Sequence, residues 1–312
     1  MYRSFGWRAA FEQRVGRSHS SFHPALFHGG SESKSILVPL VGIYSQKDWH
    51  MKEKHPDTCA LVFDPVTQRV LEFRKTMLIN QISRDAEKIA QSFDALHSAD
   101  LEKMSALFAH CSAILASGLI KAEREEDDLR MACAELLYNS LNSMVAATYM
   151  LRGGFVLQPG PVVRSAIESM AVALHLMQFS DDLQKHREHK FDSTRAISSA
   201  KRVFPPFGQM YGLLSREFTH IGSLHKQLTP IREYTGSEES LQLNIQFLTS
   251  GIWMCYVSCE LVFLDAVGHP RYWRELEEQV EGKTAYSYEP SAEEKAWMAD
   301  FLGLDNPFFA EK

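Results

Sequence analysis

Two side chains, four residues apart, have the types and the spacing for acid–base chemistry on a phosphate. They are Arg216 and His220, in the run Leu-Ser-Arg-Glu-Phe-Thr-His, and on an α-helix they would lie one turn apart on one face. A guanidinium grips a phosphate through its fork of N–H donors, and an imidazole exchanges protons near neutral pH. The pair is therefore a candidate for metal-independent RNA cleavage, with His220 as general acid or base. A capping or core role for this histidine stays open.

A second pair of charges lies within the most apolar helical stretch of the sequence. Arg164 and Glu168 are four residues apart and can pair on one helix face. Tyr138 and Asn142 interrupt the preceding helix and are expected to face that pair across a shared interior, while His225 follows the Arg216 segment. These five residues are the candidate substrate-binding or supporting groups. The alternative is a structural ion pair that fixes helix register.

Metal-ligand spacings are present but incomplete. Glu217 and His220 have the Glu-x-x-His spacing of di-iron carboxylate proteins, which need two such motifs, and the sequence has one copy. His186 and His189, with acidic residues nearby, could hold zinc, yet Lys and Arg residues alternate with them as on an ordinary solvated helix. The sequence therefore predicts no metal and no cofactor.

The cysteines are few and scattered, and their number is odd, which does not indicate a disulfide framework. They are Cys59, Cys111, Cys133, Cys255 and Cys259, and we expect them to be reduced. Cys255 and Cys259 are four residues apart on a predicted helix among apolar residues, where small core side chains are the ordinary expectation. A zinc site there would need two further ligands.

Strand patterns are confined to residues 35–75. A β-branched run at 35–44 contains Pro39, which favours an edge or bulged strand. Runs at 59–63 and 70–73 flank an Asp-Pro turn and predict a hairpin or a three-stranded sheet. A sheet of two or three strands is not stable alone in water. The element should therefore pack on the helices that follow or pair with another chain.

From Thr76 onward the apolar residues recur with the period of α-helices. The polar stretch at 181–201 is expected to be helical and solvent-facing, and Pro205 and Pro206 to end it. The uncharged stretch at 240–259 could span a bilayer by length, but its polar residues favour a buried helix. Other helices are expected at about 77–96, from near 98, from the acidic cluster at 123–128 to 152, and at 159–180, 207–219, 237–267, 272–280 and 291–302.

Composition and charge exclude several classes of protein. The 312 residues are 45% hydrophobic and 23% charged, as in globular proteins. The formal net charge of -6 argues against a histone-like protein with a positively charged surface. The first thirty residues carry four Arg and one acid. They predict a poorly ordered basic tail, with an organellar targeting segment or a phosphate-contacting arm as alternatives. Motifs for Walker, Rossmann, serine hydrolase and zincin sites are missing.

The run from Leu151 through Arg164 to Glu168, followed by the run Leu214 to His220, resembles uncharacterised prokaryotic all-helical proteins that are similar to the HEPN superfamily. The resemblance covers about residues 130–265. It implies an Arg-x-x-x-Glu helix, RNA as the ligand, and a toxin, antitoxin or phage-defence context. HEPN ribonucleases have four to six residues between their Arg and His, whereas this sequence has three.

The sequence therefore predicts an all-α multi-helix bundle with a small amino-terminal β element. The expected parts are a basic segment at 1–34, the β element at 35–75, the bundle at 76–303 and a tail at 304–312. The leading function is binding or cleavage of RNA, and the alternative is a non-enzymatic helical interaction or sensor module whose buried polar residues are structural. We also expect a cytoplasmic homodimer, or a complex with a partner protein, and no membrane association.

Overall fold

The structure of the protein is a computed structural model that describes residues 42–45, 48–49, 55–222, 224–226, 229–236, 238–276 and 285–303. These residues form a mostly α-helical fold with one small sheet of three strands and another of two. The predicted fold class is confirmed. The segment at 1–34, residues 35–41 of the first predicted strand and the tail at 304–312 lie outside the described residues.

The elements follow one another in the order strands, helices, short strands, helix. A single turn of π-helix, Ser215–Thr219, follows the seventh helix. The elements are β1 (Gly42–Ser45), β2 (Thr58–Asp64), β3 (Arg69–Arg74), α1 (Met77–Ile82), α2 (Ala86–Arg124), α3 (Asp128–Arg152), α4 (Pro159–Gln178), α5 (Leu183–Arg187), α6 (Ser193–Val203), α7 (Pro206–Leu214), α8 (Glu239–Val262), β4 (Trp273–Glu275), β5 (Tyr286–Tyr288) and α9 (Ala292–Leu302).

The amino-terminal sheet has the strand order β1, β3, β2, and both pairs are antiparallel. The predicted hairpin is confirmed, and its turn is closed by Asp64, whose carboxylate accepts the backbone N–H of Val66 at 2.9 Å. Val70 on the central strand is buried, yet the sheet contributes no residue to the hydrophobic core cluster of the described chain. The sheet is therefore peripheral to the helical core.

Helix α8 lies at the centre of the bundle and packs against α2, α3 and α4. Of its 24 residues 18 are buried, and all residues from Phe247 to Glu260 are among them. A helix that is apolar on every side is stable in water only when other helices surround it. The prediction of a long buried helix at 237–267 is thus confirmed, with slightly shorter bounds.

Helices α3 and α4 run antiparallel, and contacts between a side chain and the opposite backbone show how close they are. The Ser140 hydroxyl donates to the carbonyl of Ala166 at 3.1 Å, and the Cys133 thiol donates to the carbonyl of Ala173 at 3.4 Å. The predicted ends of these helices are confirmed. Helix α3 stops before Gly154, which has a φ of 89°, and α4 begins with a proline, which needs no N–H donor there.

The predicted boundary near residue 98 is a kink within one long helix. His97 has φ −129° and ψ 18°, outside the helical range, and α2 continues on both sides. Its ring is buried against Phe93, with ring centroids 5.2 Å apart, and its Nδ1 lies 2.7 Å from Asp100 Oδ2. The predicted boundary between two helical segments therefore lies at His97, where the helical backbone is interrupted.

Two predicted helices near the surface differ in the structure. The stretch at 181–201 is not uniformly solvent-facing, because Ala196, Ile197 and Ala200 of α6 are buried. The described part of the stretch predicted at 272–280, residues 272–276, is not a helix: β4 pairs antiparallel with β5, and the buried carboxylate of Glu260 accepts the backbone N–H of Tyr272 at 2.8 Å. The extended backbone of β4 therefore depends on contacts with β5 and Glu260, which are not its neighbours in the sequence.

A buried polar network joins the end of α4 to α6. His175 is 1% exposed, its Nδ1 lies 2.7 Å from Ser199 Oγ, and its Nε2 lies 3.0 Å from Asp182 Oδ2. Lys185 donates to the other carboxylate oxygen of Asp182 at 2.6 Å. Buried polar groups are tolerated when they are hydrogen-bonded in this way, and the network fixes the connection between the two helices.

Among the described residues, two helical stretches are long and apolar enough to cross a membrane by length and composition, namely Met77–Arg124 and α8. Most of the apolar window of α8 is buried in the bundle, as in the core helix of a globular protein. The window in Met77–Arg124 is 28% buried. These two segments are weak evidence for a membrane protein.

The acid stability of the bundle should depend on Asp182. Hydrogen bonds from Lys185 and then His175 lower the pKa of Asp182 to about 2, from an ordinary value of 3.8. A carboxylate with a lowered pKa stabilises the fold above its unfolded pKa, and this contribution disappears as the pH falls from about 4 to about 2. Asp182→Asn should therefore unfold at lower urea concentration at pH 6, and its difference from wild type should shrink toward pH 3. Asp181→Asn, at an exposed neighbouring position, should keep the wild-type profile.

Candidate functional site

Arg164 is the centre of a cluster that joins α4 to the chain around the π-helix. Its Nε donates to Ser215 Oγ at 3.0 Å, and its Nη2 donates to the hydroxyl of Tyr211 and lies 3.0 Å from Glu168 Oε1. The guanidinium carbon also lies 4.5 Å from the centroid of the Tyr211 ring, in cation–π geometry. The Arg164 and Glu168 side chains are partly buried and pair as predicted. Because their contacts link two segments of the bundle, they favour the structural interpretation.

The π-helix packs on the first turn of α4, next to Gly160. A Cβ on Gly160 would lie 2.1 Å from the ring of Phe218, so only a glycine lets this ring pack on the first turn of α4. Phe218 also meets Phe247 of α8 edge-on, with ring centroids 5.4 Å apart. The buried ring thus anchors the π-helix between two core helices. Single turns of π-helix are rare and frequently occur at functional sites.

The two candidate catalytic residues lie at the surface, with a geometry that differs from the prediction. The helix ends at Thr219, and His220 is extended, with φ −88° and ψ 152°. The expectation that Arg216 and His220 share an α-helical face is therefore wrong. The Arg216 side chain is 54% exposed, and its Nε donates to the buried carboxylate of Glu217 at 2.6 Å. A phosphate at Arg216 would have to share the guanidinium with this carboxylate.

The remaining supporting candidates do not converge on Arg164. Tyr138 is 59% exposed and Asn142 is exposed, so the prediction that they face the Arg164 pair across a shared interior is wrong. The inward positions of α3 belong to apolar residues and to Ser140. His225 lies in a short turn, where its Nδ1 accepts the backbone N–H of Gly222 at 3.4 Å.

The two sequence patterns considered for metals are also changed by the fold. Glu217 is buried against Arg216 and His220 lies outside the helix, so the Glu-x-x-His spacing does not place both side chains on one α-helical face. His186 and His189 border a cavity of about 350 Å³, together with Glu135 of α3. Burial, together with the nearby His189, lowers the pKa of His186. Asp182 is one of the acidic residues near these histidines in the sequence. Its carboxylate instead contacts the buried ring of His175.

The most compact group of potential ligands in the described chain joins residues that no single sequence pattern connects. Within the described chain, Cys111, Cys255 and Cys259 have sulphur atoms within 4.8 Å of one another, and no other set of three His, Cys, Asp or Glu residues meets that limit. The predicted core location of Cys255 and Cys259 is confirmed, since both are fully buried. Their spacing of four residues was the available signal. Nothing local indicated that Cys111, on another helix, would join them.

Comparison with known proteins finds no matching family model, no matching curated protein and no matching solved structure. The function is therefore inferred from the geometry of this chain alone.

If Arg164 is structural, its removal should cost stability. Arg164→Ala deletes charge-assisted hydrogen bonds to Ser215, Tyr211 and Glu168 in a partly buried place, where each such bond contributes about 1.5–3 kcal/mol at most. We expect the free energy of unfolding to fall by about 2 kcal/mol in urea denaturation. The control is Arg202→Ala on the exposed face of α6, which should change it by less than about 0.5 kcal/mol. Equal stability of the two variants would contradict the structural role.

Proposed function

We propose that this protein is a non-enzymatic helical interaction module that pairs with a second copy of its own chain through strand β2. The observation that carries the proposal is an apolar strand edge that no described segment covers. Strand β2 lies at one edge of the described sheet, and its residues Leu61, Val62 and Phe63 are 42%, 48% and 46% exposed. Consecutive residues point to opposite faces of a sheet, so both faces of this strand are open.

Natural proteins usually protect such an edge. Charged side chains, prolines, bulges or covering segments prevent an edge strand from pairing with another chain. The interior of β2, from Cys59 to Phe63, has neither a charge nor a proline. The ladder with β3 shifts register between Thr58 and Ala60, which leaves the part from Ala60 to Asp64 regular. This part is suited to a further strand.

The sequence of β2 is compatible with pairing to itself. In an antiparallel pair related by a two-fold axis at Leu61, Leu61 lies opposite its own copy and Ala60 lies opposite Val62 of the second copy. Phe63 and Asp64 then lie toward Cys59 and Thr58, where the ladder with β3 shifts register, so the regular pairing is confined to residues 60–62 and no like charges meet. A two-fold axis of this kind gives the self-complementary interface of the commonest homo-oligomers. It would also extend a sheet of three strands to six, which relieves the marginal stability of a small sheet.

The position of the sheet agrees with this role. Its residues are absent from the described hydrophobic core cluster, so the helices do not provide the burial that the strands lack. Leu78, Ile79 and Ile82 of the adjoining α1 are also 60–68% exposed. Exposed apolar residues in such numbers typically mark an interaction site in a folded protein.

A charge placed on the proposed two-fold axis should separate the copies. Leu61→Lys brings two ammonium groups opposite each other, so the dimer of the wild-type chain should dissociate at least tenfold more readily in sedimentation velocity. Mixing Leu61→Lys with Leu61→Glu should restore association, because unlike charges then meet. The control Ile120→Lys replaces an equally apolar side chain, 67% exposed on α2, and should remain dimeric.

A strictly monomeric wild-type chain at micromolar concentration would contradict the proposal. Binding of that monomer to anionic lipid vesicles, lost in Leu61→Lys, would assign the same apolar edge to a membrane. Failure of the mixed variants to recover association, with each variant folded by circular dichroism, would place the interface elsewhere.

The π-helix supports a second candidate function, binding or cleavage of RNA. Arg216 and His220 are exposed at its two ends, and an Arg and His pair needs no metal for acid–base chemistry. This candidate function uses the Arg216 and His220 side chains at the π-helix. Pairing through β2 does not involve these residues. Binding of RNA at the π-helix is compatible with pairing through β2, whereas cleavage of RNA would contradict a non-enzymatic role.

A ribonuclease site of this kind should fail when its histidine is removed. In the presence of a chelator, His220→Ala should slow cleavage of single-stranded RNA by about a hundredfold to ten-thousandfold, the usual contribution of a positioned acid or base. Arg216→Ala should weaken both RNA binding and turnover, since a guanidinium contacts phosphate in the ground and transition states alike. The melting temperature of His220→Ala should not change, because the side chain is exposed. Wild-type protein that leaves RNA intact would exclude cleavage.

A further inference from the structure

Three buried cysteine side chains meet between α2 and α8. The Sγ of Cys111 lies 3.7 Å from that of Cys255 and 3.5 Å from that of Cys259, and each residue is 0% exposed. Cys255 and Cys259 are one turn apart on α8 and so present their thiols on the same face. All three are free cysteines.

We propose that Cys111, Cys255 and Cys259 form a binding site for a trivalent thiophilic ion, for which arsenite is the probe. Binding replaces three hydroxyl groups of As(OH)₃ by three sulphur atoms. Three As–O bonds and three S–H bonds break, three As–S bonds form, and three water molecules leave with the thiol protons. No electron is transferred, so the step needs no oxidant or reductant.

The sulphur spacing suits a pyramidal three-coordinate ion. With a metal–sulphur distance near the roughly 2.3 Å of zinc thiolates, angles slightly above a right angle place neighbouring sulphurs about 3.4–3.6 Å apart. A planar arrangement at the same distance needs about 4.0 Å. The two sulphur–sulphur distances from Cys111 are 3.5 and 3.7 Å. They are closer to the pyramidal arrangement.

The charge of the complex favours a trivalent ion over the other ions that thiolates bind. The three cysteines belong to the hydrophobic core cluster, where an uncompensated charge is costly. Three thiolates and a trivalent ion are neutral, whereas Zn²⁺ leaves one negative charge and Cu⁺ leaves two. Structural zinc also takes four ligands, and the described cluster offers three.

The hydrogen bonds within the cluster hold the three sulphur atoms together before any ion binds. The Sγ of Cys111 lies within hydrogen-bond distance of both other thiols. By contrast the thiol of Cys133, a buried cysteine outside the cluster, donates to the backbone carbonyl of Ala173. The cluster therefore offers three sulphur ligands at one place, whereas Cys133 offers one.

The test uses the reduced full-length chain with Cys59→Ser, which removes the described exposed thiol. After incubation with sodium arsenite and gel filtration, we expect one arsenic atom per chain by elemental analysis, and a higher melting temperature, since the ligand binds the folded state. Adding Cys111→Ser should weaken binding at least tenfold. Adding Cys133→Ser, the matched buried control, should leave the stoichiometry at one.

A second measurement does not depend on variants that fold. X-ray absorption at the arsenic edge of the folded, arsenite-treated protein counts the atoms bound to arsenic. Three sulphur neighbours and no oxygen neighbour should be found in the chain with Cys59→Ser. Loss of all arsenic on gel filtration, equal retention by Cys111→Ser, or tight binding of Cu(I) or Zn²⁺ without any binding of arsenite would overturn the proposal.

Discussion

The burial of α8 on every side is the constraint on which the rest of the structure depends. A helix with an uninterrupted buried run from Phe247 to Glu260 must be enclosed, so α2, α3 and α4 have to pack around it. This arrangement brings Phe218 against Phe247 and so anchors the π-helix, and it brings Cys111 to the cysteines of α8. The buried carboxylate of Glu260 then directs the chain into β4 by accepting backbone N–H groups.

Local signals predicted much of this fold. The glycine pair after Arg152 and the proline at 159 marked the end of α3 and the start of α4, because helix termini depend on the chemistry of a few adjacent residues. Local signals wrongly predicted a helix from residue 272. Residues 273–275 form β4 because they pair with β5, and the chain before them is held by Glu260 of α8. The buried side of α6 was missed because it is largely made of small residues, which carry a weak periodic signal.

The candidate sites divide in the same way. The pairing of Arg164 with Glu168 follows from a spacing of four residues, whereas their contacts with Tyr211 and Ser215 join segments about fifty residues apart. The end of the helix predicted at 207–219 agrees with the structure, but its last turn is a π-helix in which Phe218 packs over Gly160, and no local pattern indicates that turn. The third member of the cysteine cluster is 144 residues from Cys255, a separation that no sequence spacing indicates.

The absence of the β1–β3 sheet from the described core cluster has a consequence for how the molecule opens. Amide hydrogens exchange with solvent through local, partial or complete unfolding, and the least costly opening that frees an amide sets its rate. The ladder amides of Leu71 and Glu72 can be freed by separating the strands while the helices stay packed. The amides in the middle of α8 have no such route, because α8 cannot open without its neighbours. The sheet and the described helices are therefore expected to open as two units with different free energies, with the boundary near Thr76.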